Sequence, residues 1–126
     1  MSQRLFEAAR DAMAASYSPY SHFPVGAAIL AGNGKIYSAC NVENAAYPLS
    51  SCAEASAISV MVADGQREIV EIAVIAEKMD AVTPCGGCRQ RIAEFARAAT
   101  PVHLCNGDGV TETLTLGELL PRSFDL

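Results

Sequence analysis

Hydrophobic and polar positions along the chain follow two periods, and the switches between them mark the elements. Residues 2–16 carry Leu5, Ala9, Ala12 and Met13 on one helical stripe with Arg4, Glu7 and Asp11 away from it, which predicts a helix packed on one face with Ser2 as its N-cap. Proline, serine and aromatics from Tyr17 to Pro24 end that helix and read as an ordered loop whose rings either plug the core or lie against something flat. Val25 to Ala31 is a small apolar run, Asn33-Gly34 is a turn dipeptide and Lys35 to Cys40 alternates, so a β-hairpin follows. After Pro48, residues 52–64 return to the helical period and Gly65 closes them. Ile69 to Ala76 is an apolar, β-branched run broken only by Glu71 and small alanines, the pattern of a strand of the buried kind. From Cys88 the positions Ile92, Phe95, Ala96 and Ala99 again follow a helix. Val102–Cys105, the turn Asn106–Gly109 and the alternating Val110–Leu116 make a second hairpin, and a short helical turn occupies 115–120.

This order, helix, two strands, helix, strand, helix, two strands, predicts an α/β fold: a mixed sheet flanked by helices. At 126 residues it fits a single domain spanning 1–126. Composition adds to that picture. Apolar residues make up 51% and charged residues only 18%, more apolar surface than the interior of a small monomer absorbs, so part of it is expected to meet another subunit. Nine basic residues against 14 acidic ones leave a net charge of −5, and no basic run interleaved with aromatics occurs, which argues against nucleic acid as a partner. No stretch reaches the roughly twenty apolar residues that span a bilayer. A cytoplasmic location and no membrane partner are expected, and an odd count of five cysteines suits reduced thiols better than a disulfide framework.

The chemistry concentrates in Cys52-Ala53-Glu54 and Pro84-Cys85-Gly86-Gly87-Cys88. Both fall at predicted helix starts, where unpaired N–H groups and the helix dipole favour a thiolate. Three thiols would leave one tetrahedral zinc position for water and Glu54 free to move protons. Two other readings stand beside this one. A redox Cys-x-x-Cys pair leaves Cys52 and Glu54 unexplained. A structural zinc site needs a fourth ligand from Cys40, Cys105, His22 or His103. Asn41 and Glu43, two apart at a strand end, would point the same way; that suits gripping vicinal hydroxyls and equally suits a solvated strand end.

Cys52-Ala53-Glu54 with Pro84-Cys85-Gly86-Gly87-Cys88-Arg89-Gln90 resembles the zinc-dependent deaminase signature. Ser18 to Ala28, Cys40 to Tyr47 and Leu119 to Phe124 narrow the resemblance to the short cytidine deaminases over nearly the whole chain. The resemblance implies a three-layer fold with a five-stranded mixed sheet, a homotetramer, one zinc per subunit, and deamination of cytidine and deoxycytidine in pyrimidine salvage. It assigns zinc to Cys52, Cys85 and Cys88 and proton transfer to Glu54. It also puts the sugar hydroxyls on Asn41 and Glu43, the base beside Phe23, backbone contacts at Ala53 and Cys85, and Tyr47 and Phe124 near sites completed by neighbouring subunits.

One position departs from the family pattern. Three thiolates on a divalent ion leave one net negative charge, and many short cytidine deaminases resemble one another in placing an arginine directly after the catalytic glutamate. Here that residue is Ala55, so helix dipoles together with Arg89 are expected to carry the compensation. Within the class, the alternative substrate is a modified cytosine nucleoside such as a nucleoside antibiotic. Outside it, the alternative is a non-catalytic zinc or nucleoside-binding module, which would have no need of Glu54.

Overall fold

A computed structural model describes residues 1–126. Its elements are helix α1 (Ser2–Met13), strands β1 (Val25–Ala31) and β2 (Ile36–Cys40), helix α2 (Ala53–Ala63), strand β3 (Ile69–Ala76), helix α3 (Gly86–Phe95), strands β4 (Pro101–Asn106) and β5 (Gly109–Thr115), and the single turn α4 (Leu116–Leu119). The sheet order is β2-β1-β3-β4-β5. Only β3 and β4 pair in parallel; the other neighbours are antiparallel. The expected five-stranded mixed sheet is therefore present.

Strand alternation sends the two halves of each apolar run into different layers. On β1, Ala27, Ile29 and Ala31 join the larger core with Ile72 and Val74 of β3, Met61 of α2, Ile92 of α3 and Leu116 of α4. Ala28, Leu30, Ala73 and Ile75 face the other way, onto Leu5, Phe6 and Ala9 of α1. Helices on both faces explain why Ile69 to Ala76 shows no polar alternation. Burying each Ile or Leu of these layers contributes about 1.5–3 kcal/mol before the entropy of ordering it is subtracted. Helix α1 lies so close to β1 that a Cβ on Gly26 would stand 2.1 Å from the Ala9 carbonyl oxygen. Only glycine fits there.

Three local expectations shift. The N-cap of α1 is Met1, with no side-chain cap bond, so Ser2 is the first helical residue instead. Helix α3 stops at Phe95 because Ala96 is extended, with φ −126° and ψ 172°; Ala99 thus lies beyond it and is exposed. Tyr17 and Tyr20 are exposed rather than plugging the core.

The topology decides where the two cysteine motifs go. Strand β2 is antiparallel to β1, and β1 is antiparallel to β3, so β2 and β3 run in the same direction. The segments leaving them emerge at one edge of the sheet, beside the start of β1. One segment leads to α2 and the other to α3.

Candidate active site

Cys52 is the N-cap of α2 and Cys85 the N-cap of α3, both with extended backbone. Cys88 follows in the first turn of α3, fully buried. The sulfurs of these three residues lie within 4.8 Å of one another. In a tetrahedral site with thiolate bonds of about 2.3 Å the sulfurs would be about 3.8 Å apart, so a small contraction lets the set close on an ion. An all-thiol donor set suits a soft ion such as zinc. None of the candidate fourth ligands joins them. His103 is held between Thr113 Oγ1 and Glu71 Oε1, both at 2.8 Å, Cys105 is in the core under α1, Cys40 pairs with Gly26 in the sheet, and His22 sits on the loop before β1 with φ 54°. All five cysteines are free thiols, so Cys85 and Cys88 are not a disulfide.

The thiols differ in their readiness to ionise. Burial pushes Cys88 and Cys52 up, while the backbone N–H of Cys88, donated to Cys85, pulls Cys85 down. Glu54, in the first turn of α2, is 5% exposed. Burial raises its pKa above the ordinary carboxylate range, against the opposing pull of its own backbone N–H and the Arg91 charge. A carboxyl with a raised pKa in a cleft is poised to hold and release a proton.

Glu54 lines a cavity of about 250 Å³ together with Asn41, Glu43, Cys52, Ala53 and Cys85; Val25, Val74 and Val82 supply its apolar wall. Residues 41–43 run between two neighbouring segments: Val42 bridges both Tyr17 and Ser51. Asn41 and Glu43 therefore share one side, and both line the cavity. The Asn41 carbonyl oxygen accepts Ser16 Oγ at 2.5 Å and Val25 N–H at 3.0 Å, and its amide donates to the Phe23 carbonyl at 2.9 Å. One amide hydrogen stays free. The Glu43 carboxylate accepts the N–H groups of Tyr20 and Ser21 at 3.0 and 3.1 Å and the Ser21 hydroxyl. The Ser21 hydroxyl is the main reason its pKa lies below the usual range.

Other expected site residues lie further out. Phe23 is half-buried on the loop that Asn41 grips and does not line the cavity. Tyr47 is 69% exposed and meets the edge of Tyr20 at 5.7 Å. Phe124 is 70% exposed, its backbone held by both ends of the Gln90 amide at 3.0 Å. Arg89 does not face the thiols: its guanidinium binds the carbonyls of Pro84 at 2.8 Å and Leu119 at 2.9 Å. The cation at the cluster is Arg91, whose Nη1 lies 3.6 Å from Cys88 Sγ. Sequence reasoning missed it, although a separation of three residues on a helix puts both on one face. Ser16 and Ser21 carried no local signal, because each acts on a residue distant in the chain.

The family model for the cytidine and deoxycytidylate deaminase zinc-binding region matches residues 1–104. The chain is 46% identical over 122 residues to a cytidine deaminase of Sporosarcina psychrophila, covering 97% of this chain and 90% of that protein. It is 43% identical over 122 residues to a cytidine deaminase of Halalkalibacterium halodurans, covering 97% and 92%. The crystal structure of cytidine deaminase from Burkholderia pseudomallei superposes with a TM-score of 0.92 at 40% identity, covering 98% of this chain and 99% of that one.

Proposed function

The chain belongs to the cytidine and deoxycytidylate deaminase family, and on that footing we propose that it hydrolyses cytidine and deoxycytidine to uridine and deoxyuridine with release of ammonia. The observation that carries this reading is one cleft lined by a buried carboxyl, two of three clustered thiols, and the polar pair Asn41 and Glu43. Cys52, Cys85 and Cys88 would hold zinc, leaving one of its positions open. When bound, the ion supplies a Lewis acid that lets water lose a proton near neutral pH.

Glu54 takes that proton and delivers it to N3 of the pyrimidine as the water oxygen bonds to C4. It then carries the remaining hydroxyl proton to the exocyclic nitrogen. The C4–N bond breaks, ammonia leaves, and C4 becomes a carbonyl. A carboxyl kept from bulk water, with its pKa raised by burial, suits both accepting and donating. The free Asn41 amide hydrogen donates to one sugar hydroxyl, and the Glu43 carboxylate accepts from another. Ala53 and Cys85, which line the cleft, contribute backbone contacts to the base, and Phe23, outside that lining, would have to turn toward the cleft to lie against it. The net charge of −5 disfavours a polynucleotide substrate.

Assembly as a homotetramer in which Tyr47 and Phe124 approach neighbouring sites is supported by the apolar surface at Tyr47, Leu49 and Phe124, which a subunit interface would cover. Free thiols at the metal site suit the reducing cytoplasm, where salvage of free nucleosides takes place. No helix is long and apolar enough to cross a membrane. The test is the ultraviolet loss of cytidine with purified protein, its zinc measured in parallel and its mass in solution determined by light scattering. Stoichiometric zinc without deamination would replace this reading with a binding module.

A further inference from the structure

The thiol cluster carries a charge problem that its nearest neighbours in the chain do not solve. If Cys52, Cys85 and Cys88 bind a divalent ion as thiolates, the site holds one excess negative charge, and Glu54 beside it adds another when ionised. Position 55 on α2 offers only a methyl group, and the Arg89 guanidinium is committed to the Pro84 and Leu119 carbonyls. Arg91 lies one turn beyond Cys88 on α3 and directs Nη1 at Cys88 Sγ, 3.6 Å away. Gly87 leaves the guanidinium its room: a Cβ there would stand 3.2 Å from the same nitrogen.

We infer that Arg91 is the cation that balances the three-cysteine site, acting from α3 through Cys88 where Ala55 on α2 has no charge to offer. The inference rests on reading the three cysteines as the zinc ligands. Arg91 touches neither substrate nor the reacting atoms, so it is a positioning residue. Its N–H···S bond withdraws electron density from the Cys88 sulfur, and its charge stabilises the anionic site relative to three neutral thiols and free ion.

The test compares the wild type with Arg91→Ala, Arg91→Gln and Arg91→Lys, each loaded with zinc or with cobalt(II) as a spectroscopic stand-in. Arg91 is exposed, and circular dichroism checks that each variant is folded. Arg91→Ala is expected to weaken zinc retention against a chelator by about tenfold to a hundredfold and to move the thiolate-to-cobalt charge-transfer band to longer wavelength. Arg91→Gln, which keeps a donor without the charge, should lose zinc like Arg91→Ala, and Arg91→Lys should hold it. Adding Ala55→Arg to Arg91→Ala should restore both retention and band position. Unchanged retention and an unshifted band in Arg91→Ala would overturn the inference while leaving the three-cysteine site intact. A wild type that takes up neither zinc nor cobalt would overturn both.

Discussion

The Ser16 hydroxyl, three residues past the end of α1, donates to the side-chain carbonyl of Asn41 at 2.5 Å. This bond, with that from Val25 N–H, fixes which end of the Asn41 amide faces the cavity and presents a donor there. Removing the hydroxyl in Ser16→Ala costs a net hydrogen bond worth about 0.5–1.5 kcal/mol. The expected outcome is a KM for cytidine raised roughly two- to tenfold with kcat little changed, read from steady-state kinetics. A fall in kcat at constant KM would contradict this role for the pair.

Glu43 is held below the usual carboxylate range first by the Ser21 hydroxyl, then by the backbone N–H groups of Ser21 and Tyr20. A depressed pKa keeps the ionised acceptor present above the ordinary value and loses it only as pH falls through the lower, folded value. In Ser21→Ala that window narrows, because only the two backbone N–H groups remain to hold the pKa down. The acid-side rise of KM should then begin at a higher pH than in the wild type, and superimposable KM–pH curves would remove Ser21 from the account.

Glu54→Gln keeps the shape of the buried side chain and removes its proton chemistry. Turnover should fall by at least about 10²–10⁴-fold, while zinc content stays at the wild-type level because the three sulfurs are untouched. Burial raises the pKa of Glu54, so its ionised form opposes folding increasingly as pH rises above the unfolded value. The metal-free Glu54→Gln protein should accordingly melt at a higher temperature than the metal-free wild type near neutral pH, as measured by calorimetry.

Gly26→Ala sets a Cβ against backbone, 2.1 Å from the Ala9 carbonyl oxygen and 2.9 Å from the Met13 amide nitrogen. Neither can move without shifting α1 from β1. A loss of at least about 1–3 kcal/mol is expected, visible as a lower urea midpoint. A midpoint equal to that of the wild type would mean that α1 docks with slack.

The periodicity of the chain by itself determined most of the elements. Ile69 to Ala76 reads as a buried strand because helices cover both its faces, and the observed bounds coincide with that reading. The two cysteine motifs fall at helix starts as expected, with Cys52 and Cys85 at the N-cap positions, although α3 begins at Gly86, two residues before the apolar spacing that starts at Cys88. Local patterns were less informative at element ends, where Ala96 extends in a stretch that keeps its helical spacing. What only the tertiary structure decided is the meeting of distant segments. The shared direction of β2 and β3 brings Cys52 to Cys85, the Tyr17 and Ser51 bridges turn Asn41 and Glu43 into one cavity, and Arg91 rather than Arg89 reaches the sulfur. Hydrophobic period reports which face of an element is buried, a local property. Which buried faces come together, and which of two nearby arginines finds an acceptor elsewhere, depends on register and packing between residues far apart in the chain.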